Sequence, residues 1–95
     1  MVTSNEPGIY RPGRWGVRIE NLLLTVPAQT TEFGSFLDFE TLTLCPIDAR
    51  CIERDLLNSV ELDWLNRYHA TVRSRLVPHV TGAAAQWLEA NTRPI

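Results

Sequence analysis

Cysteine is scarce in this 95-residue chain, which has only Cys45 and Cys51. Their spacing is not that of a CxxC pair, and no further Cys/His set completes a zinc site. Free thiols in a reducing cytosol are therefore the expectation. A basic patch is missing too. The net charge is −2, the pI is near 5.6, and Arg11, Arg14 and Arg18 are local to one stretch with few aromatics between them. Nucleic acid is not an expected partner. No apolar run approaches membrane-spanning length. No apolar h-region follows Met1, so no secretory signal is expected. Internal repeats and low-complexity segments are also lacking.

What remains is ordinary globular material: 44% hydrophobic residues, 21% charged residues and three Trp. The length suits one domain at most, and so short a chain has a thin stability margin. Val2-Thr3-Ser4 is β-prone. Pro7 disfavours helical geometry at Glu6, holding it extended. Arg11-Pro12-Gly13-Arg14 is a turn sequence, because Pro presets φ and Gly accepts positive φ. Val17 to Val26 reads as a strand with apolar residues on both faces after Asn21, as a buried central strand has. Pro27 is expected to end it. Residues 28–35 then read as a loop, 37–44 as the next strand, and 47–57 as irregular with a short helical turn near Arg54.

Asn58 opens a helix, with Glu61 placed to complete a capping box. Leu65, Tyr68, Val72 and Leu76 recur at helical spacing and form its buried stripe. Pro78 stops it, and Thr81 is a candidate cap for a second helix closing near Asn91. The order is β-β-β-α-α, an α+β class with antiparallel strands followed by two helices.

The chemistry concentrates at the start of the chain. Glu6 and Glu20 flank the turn, so a strand, turn and returning strand bring them together. Two carboxylates on neighbouring strands can hold one or two hard cations. They can equally be solvated surface acids. Alternation puts Arg18 on the same face as Glu20, either as an ordinary ion pair or as an orienting contact. Tyr10 fits a half-buried aromatic as well as a functional one. His69, beside Tyr68 on the helix, reads as packed, and His79 as exposed. Asp38, Asp48, Asp55 and Asp63 fall in no ligand motif.

Glu6-Pro7-Gly8-x-Tyr10, followed by Gly16-Val17-Arg18-Ile19-Glu20-Asn21, resembles the end of the metallopeptidase fold shared by aminopeptidase P, prolidase and methionine aminopeptidase. The short spacing between the Glu residues is most similar to that of the three-domain Xaa-Pro aminopeptidases. Phe39-Glu40-Thr41-Leu42-Thr43-Leu44-Cys45-Pro46-Ile47 resembles their FETLTL-x-PI strand. Leu62-Asp63-Trp64-Leu65-Asn66-Arg67-Tyr68-His69 resembles their LxWLNxYH helix. Trp87-Leu88-Glu89 and Thr92-Arg93-Pro94-Ile95 resemble their closing residues. The likeness is weakest at residues 28–36.

This resemblance implies the C-terminal portion of a pita-bread fold. Residues 1–46 would be the end of the metallopeptidase catalytic domain and 47–95 its C-terminal helical region. It implies an exopeptidase that releases the first residue of peptides with proline second, using two divalent metal ions, Mn2+ by expectation. Glu6 and Glu20 match metal ligands, with Glu20 bridging. Glu6, Arg18 and Tyr10 match catalytic positions, Glu6 as a proton carrier and Arg18 in a hydrogen-bond network with Tyr10. The family's two Asp ligands and its His lie upstream of these motifs. The chain is therefore expected to be a C-terminal segment, inactive alone, in a cytoplasmic enzyme. Its expected partners are the peptide substrate, the missing N-terminal portion or a second copy, with no nucleic acid and no membrane. The alternative is a non-catalytic interaction or dimerisation module.

Overall fold

The computed structural model describes residues 1–95, which fold as two compact units, 1–43 and 44–95. The first unit is all strand. β1 (Val2–Asn5), β4 (Asn21–Thr31) and β5 (Gly34–Thr41) form a sheet in the order β1-β4-β5, and β2 (Gly8–Arg11) pairs with β3 (Trp15–Arg18), all antiparallel. The second unit carries α1 (Ser59–Leu76) and α2 (Gly82–Asn91). The α+β order of antiparallel strands and then two helices is as expected, but with five strands and not three.

Three local expectations are corrected. The apolar run from Val17 is not one strand, because β3 ends at Arg18 and β4 begins at Asn21. Pro27 does not end β4, which continues to Thr31. The ladder with β1 stops near Met1, where Thr25 N–H donates to its carbonyl. Beyond that point only β5 pairs with β4, and an edge tolerates a residue without an N–H. The register shifts between Pro27 and Thr30, absorbing the irregularity. The expected loop at 28–35 is thereby reduced to a two-residue connection, since Thr31 faces Gly34. Gly34 sits at φ 132°, open to glycine and strained for other residues. β4 is indeed the central strand, yet it is only half-buried at best, and no residue of the sheet unit is fully buried.

The helical unit holds the core. Asn58 caps α1 with both bonds of a capping box: its side chain accepts from Glu61 N–H and its own N–H donates to Glu61, each at 2.9 Å. Leu65, Tyr68 and Val72 are buried on the expected stripe. Tyr68, Val72 and Leu88 of α2 form a cluster against which Leu44, Ile47, Leu76 and Val80 pack. Each fully buried aliphatic side chain contributes about 1.5–3 kcal/mol. Thr81 stands at the start of α2, but its side chain makes no capping bond. The short turns at Ala49–Cys51 and Arg54–Leu56 occupy the stretch expected to be irregular.

Side chains of α1 also stand in for a neighbouring strand. Tyr68 Oη donates to Cys45 O at 2.8 Å and accepts from Cys45 N–H at 3.3 Å. His69 Nε2 accepts from Ile47 N–H at 3.0 Å. Both backbone groups of Cys45 and the Ile47 N–H are thus satisfied without a sheet partner. The far end of the chain is tied the same way. Asn66 accepts from Ile95 N–H at 3.0 Å and donates to its carbonyl at 3.3 Å, and Arg73 donates to Thr92 O at 2.9 Å.

Candidate functional site

Glu6 and Glu20 occupy the two interruptions of one long hairpin. Its tip is closed by Pro12-Gly13, where Arg14 N–H donates to Arg11 O at 2.9 Å and Gly13 takes φ 72°. Below the tip, Gly8 faces Arg18; further down, Asn5 faces Asn21. The two ladders share one register, so Glu6 falls opposite Glu20 and Pro7 opposite Ile19. The Ile19 N–H donates to Pro7 O at 3.3 Å, which holds the register across the break. Facing residues of an antiparallel pair project to the same side, with Cβ atoms about 4.5–5.5 Å apart.

Alternation then sorts the hairpin into two faces. Glu6, Gly8 and Tyr10 share one face with Gly16, Arg18 and Glu20. Pro7, Ile9, Val17 and Ile19 belong to the other face and line a shallow, open apolar groove. All of the polar group is solvent-accessible.

Arg18 is the counter-charge of this group. Its Nε lies 3.6 Å from Glu20 Oε2, an ion pair longer than a good charge-assisted hydrogen bond. The guanidinium is held above its ordinary range, first by donating a hydrogen bond to Tyr10, then by the nearby charges of Glu20 and Glu6. Arg18 therefore senses both carboxylates as well as the phenol.

Two glycines make that contact sterically possible, and reading the sequence did not foresee it. A Cβ on Gly16 would lie 2.8 Å from Tyr10 Cδ1. One on Gly8 would lie 2.5 Å from Tyr10 Oη and 2.9 Å from the Val17 carbonyl oxygen. The Tyr10 ring lies back over both glycines. The available signal was positional: Gly8 is two residues from Tyr10 on the same face, and Gly16 is directly opposite Tyr10.

The remaining polar candidates lie elsewhere. His69 is 1% exposed, and its pKa is pushed down by burial and by the charge of Arg73. His79 is exposed. Arg50, 2.8 Å from Asp48, holds that carboxylate down at about 2. Asp63 pairs with Arg67 at 3.2 Å. Cys45 and Cys51 are free and exposed. No group of three or more His, Cys, Asp or Glu side chains could hold a metal ion. The Glu6–Glu20 pair is right in kind for a hard divalent cation, with two anionic oxygen donors on one face, and supplies only part of a coordination sphere. No helix is long and apolar enough to cross a membrane.

Comparison with known proteins matches residues 35–95 to the family described as the C-terminal region of peptidase_M24. Aminopeptidase P2 of Arabidopsis thaliana is 46% identical over 99 residues, covering all of this chain and 14% of that protein. Xaa-Pro aminopeptidase 2 of Homo sapiens is 37% identical over 99 residues, covering all of this chain and 15% of that protein. The crystal structure of X-prolyl aminopeptidase from Caenorhabditis elegans, described as a cytosolic enzyme with a di-nuclear active site, superposes with a TM-score of 0.83 at 36% identity. That match covers 99% of this chain and 16% of the other. The chain thus spans about a seventh of the length of these relatives.

Proposed function

The chain belongs to the M24 peptidases, matching their C-terminal region, and on that premise we propose that it serves as a C-terminal segment of a metal-dependent Xaa-Pro aminopeptidase. In this reading residues 1–46 close the catalytic domain and 47–95 form its helical C-terminal region. The substrate is a peptide with proline second, and the product is its released first residue. The observation that carries the proposal is the single register that sets Glu6 opposite Glu20, with Arg18 beside both.

Glu6 and Glu20 would hold the cations as anionic oxygen donors, Glu20 as the ligand shared by both. Two divalent ions, Mn2+ by this proposal, supply an activated water near neutral pH when bound. The carboxylate of Glu6 can hold a proton and release it to the leaving group. Arg18 orients Glu20 without neutralising it fully, since the pair is loose at 3.6 Å. Tyr10 orients Arg18. Contacts of this kind fix the aim of metal-binding carboxylates. The cytosolic description of the nematode enzyme supports a cytoplasmic setting. The donors beyond Glu6 and Glu20 would come from the part of the enzyme to which this chain has no counterpart, so the chain alone is expected to turn over no peptide.

The test replaces the matching stretch of Arabidopsis aminopeptidase P2 with this chain and follows release of the first residue from Arg-Pro-Pro with Mn2+. The hybrid should be active, and Glu6→Gln or Glu20→Gln should each cost at least about a hundredfold, the upper end of the loss when only a partner of a metal ligand is removed. A folded hybrid that is inactive, or one that keeps its rate with both substitutions in place, would refute the proposal.

The second reading, an association module, is favoured by one observation. Ile9, Trp15, Val17, Phe36 and Phe39 of the sheet unit are all about half exposed or more. Self-association of the isolated chain on size-exclusion chromatography would support it, and a monomer would count against it.

A further inference from the structure

We infer that Gly8 and Gly16 are positioning residues: they leave the space in which the Tyr10 ring lies back along the hairpin, and the phenol in turn holds Arg18 off the Glu6–Glu20 pair. The inference rests on the proposed role of that pair as a cation site. The space is specific to the ring. A methyl group at Gly16 would meet Tyr10 Cδ1 at 2.8 Å and Cε1 at 3.5 Å, while the nearest backbone atom, Ile9 O, is at 3.8 Å. Contacts under 3.0 Å are not sustained, so the ring must move. Gly8 is more constrained, because its methyl would also meet the Val17 carbonyl oxygen at 2.9 Å. Neither glycine has positive φ. The requirement at Gly16 is therefore one of volume and not of backbone conformation.

The consequence runs through Arg18. Its guanidinium, on which the Tyr10 phenol acts more strongly than any other group, stands 3.6 Å from Glu20. A ring displaced from the glycines withdraws the phenol. The guanidinium then closes onto the carboxylates, whose charges already act on it. A cation arriving at Glu6 and Glu20 must compete with it. Gly16→Ala and Tyr10→Phe thus share one outcome: Arg18 moves onto the pair and the cation is held more weakly.

The test uses the full 95-residue chain. The Arg18 Nε–Hε resonance in a two-dimensional NMR spectrum reports its hydrogen bonding, and Mn2+ broadening of the Asn5 and Asn21 amides reports cation binding at the adjoining pair. Gly16→Ala should shift the Arg18 resonance to the position it takes in Tyr10→Phe. Both variants should weaken the Mn2+ titration about threefold, the scale of one exposed ion pair. Removing the ring should then make the methyl harmless: Tyr10→Ala and Tyr10→Ala/Gly16→Ala should give the same spectrum and the same hairpin amide protection. If Gly16→Ala unfolds the hairpin, the double variant must restore it. An unmoved Arg18 resonance in Gly16→Ala, or a double variant as perturbed as Gly16→Ala, overturns the inference. Failure of Mn2+ to broaden Asn5 and Asn21 in the unmodified chain would instead overturn cation binding by these two carboxylates on their own, while the Arg18 measurements would still decide the cradle.

Discussion

Acidification should loosen the helical unit through one side chain, His69. It is 1% exposed, and its Nε2 accepts the Ile47 N–H at 3.0 Å. A protonated imidazole cannot accept that bond, so the folded state keeps His69 neutral. Its Nδ1, which then carries the proton, has no hydrogen-bond partner and no acceptor to stabilise a charge. Burial, with the positive Arg73 nearby, accordingly holds its pKa below the ordinary 6.5. In the unfolded chain the same ring titrates normally near 6.5. Below that pH the unfolded state binds a proton that the folded state refuses, so stability falls as pH falls. It is fully present above about 7. The slope approaches about 1.4 kcal/mol per pH unit, so pH 5 should cost about 2 kcal/mol if the ring stays neutral that far. Against the few to roughly 14 kcal/mol expected for a chain of this size, that is a large fraction. Urea unfolding followed by far-ultraviolet circular dichroism at pH 7.5, 6.5 and 5.5 measures it. His69→Gln should be less stable at pH 7.5, with a flatter pH dependence between 7.5 and 5.5. Equal slopes in the two proteins would refute the reasoning.

Other side chains give further tests. Asn58→Ala removes the capping bond that the Asn58 side chain accepts from Glu61 N–H at the start of α1 and should cost about 1 kcal/mol, read as a lowered urea midpoint with an unchanged slope. Tyr68→Phe leaves Cys45 N–H and C=O without the hydroxyl that serves both. The expected loss is about 1–3 kcal/mol, with faster hydrogen exchange at the Cys45 amide; unchanged exchange there would count against the strand-substitute role of α1.

Much of the site could be read from residue order because its geometry is local. Pro12-Gly13 admits a tight turn, and a tight turn sets the register of everything below it. Glu6 and Glu20, equally far from that turn, could then meet only across the hairpin. The helices were legible for a similar reason. The Asn58–Glu61 box and the stripe of Leu65, Tyr68 and Val72 are hydrogen-bond and side-chain patterns that repeat within one or two turns. Thr81 shows the limit: its position at a helix start followed from residue type, but the capping bond depends on a rotamer and is not made.

Where the reading missed, a distant partner decided the outcome. Pro27 stays in β4 because β5 alone accompanies it there, and the neighbour that would have required its N–H has already ended. The apolar run from Val17 gave no hint of the break at Ile19–Glu20. That break separates two ladders of one register and carries a carboxylate on each side.

Residue order alone therefore determined the hairpin turn, the opposition of Glu6 to Glu20, and the start and buried face of α1, because each is governed by bonds reaching only a few positions or by a register counted from one turn. Tertiary structure decided how far β4 runs, that His69 accepts the Ile47 N–H, and that the Tyr10 ring lies over Gly8 and Gly16. Those outcomes depend on the volume and the backbone groups that other elements leave open, which no short stretch of sequence specifies.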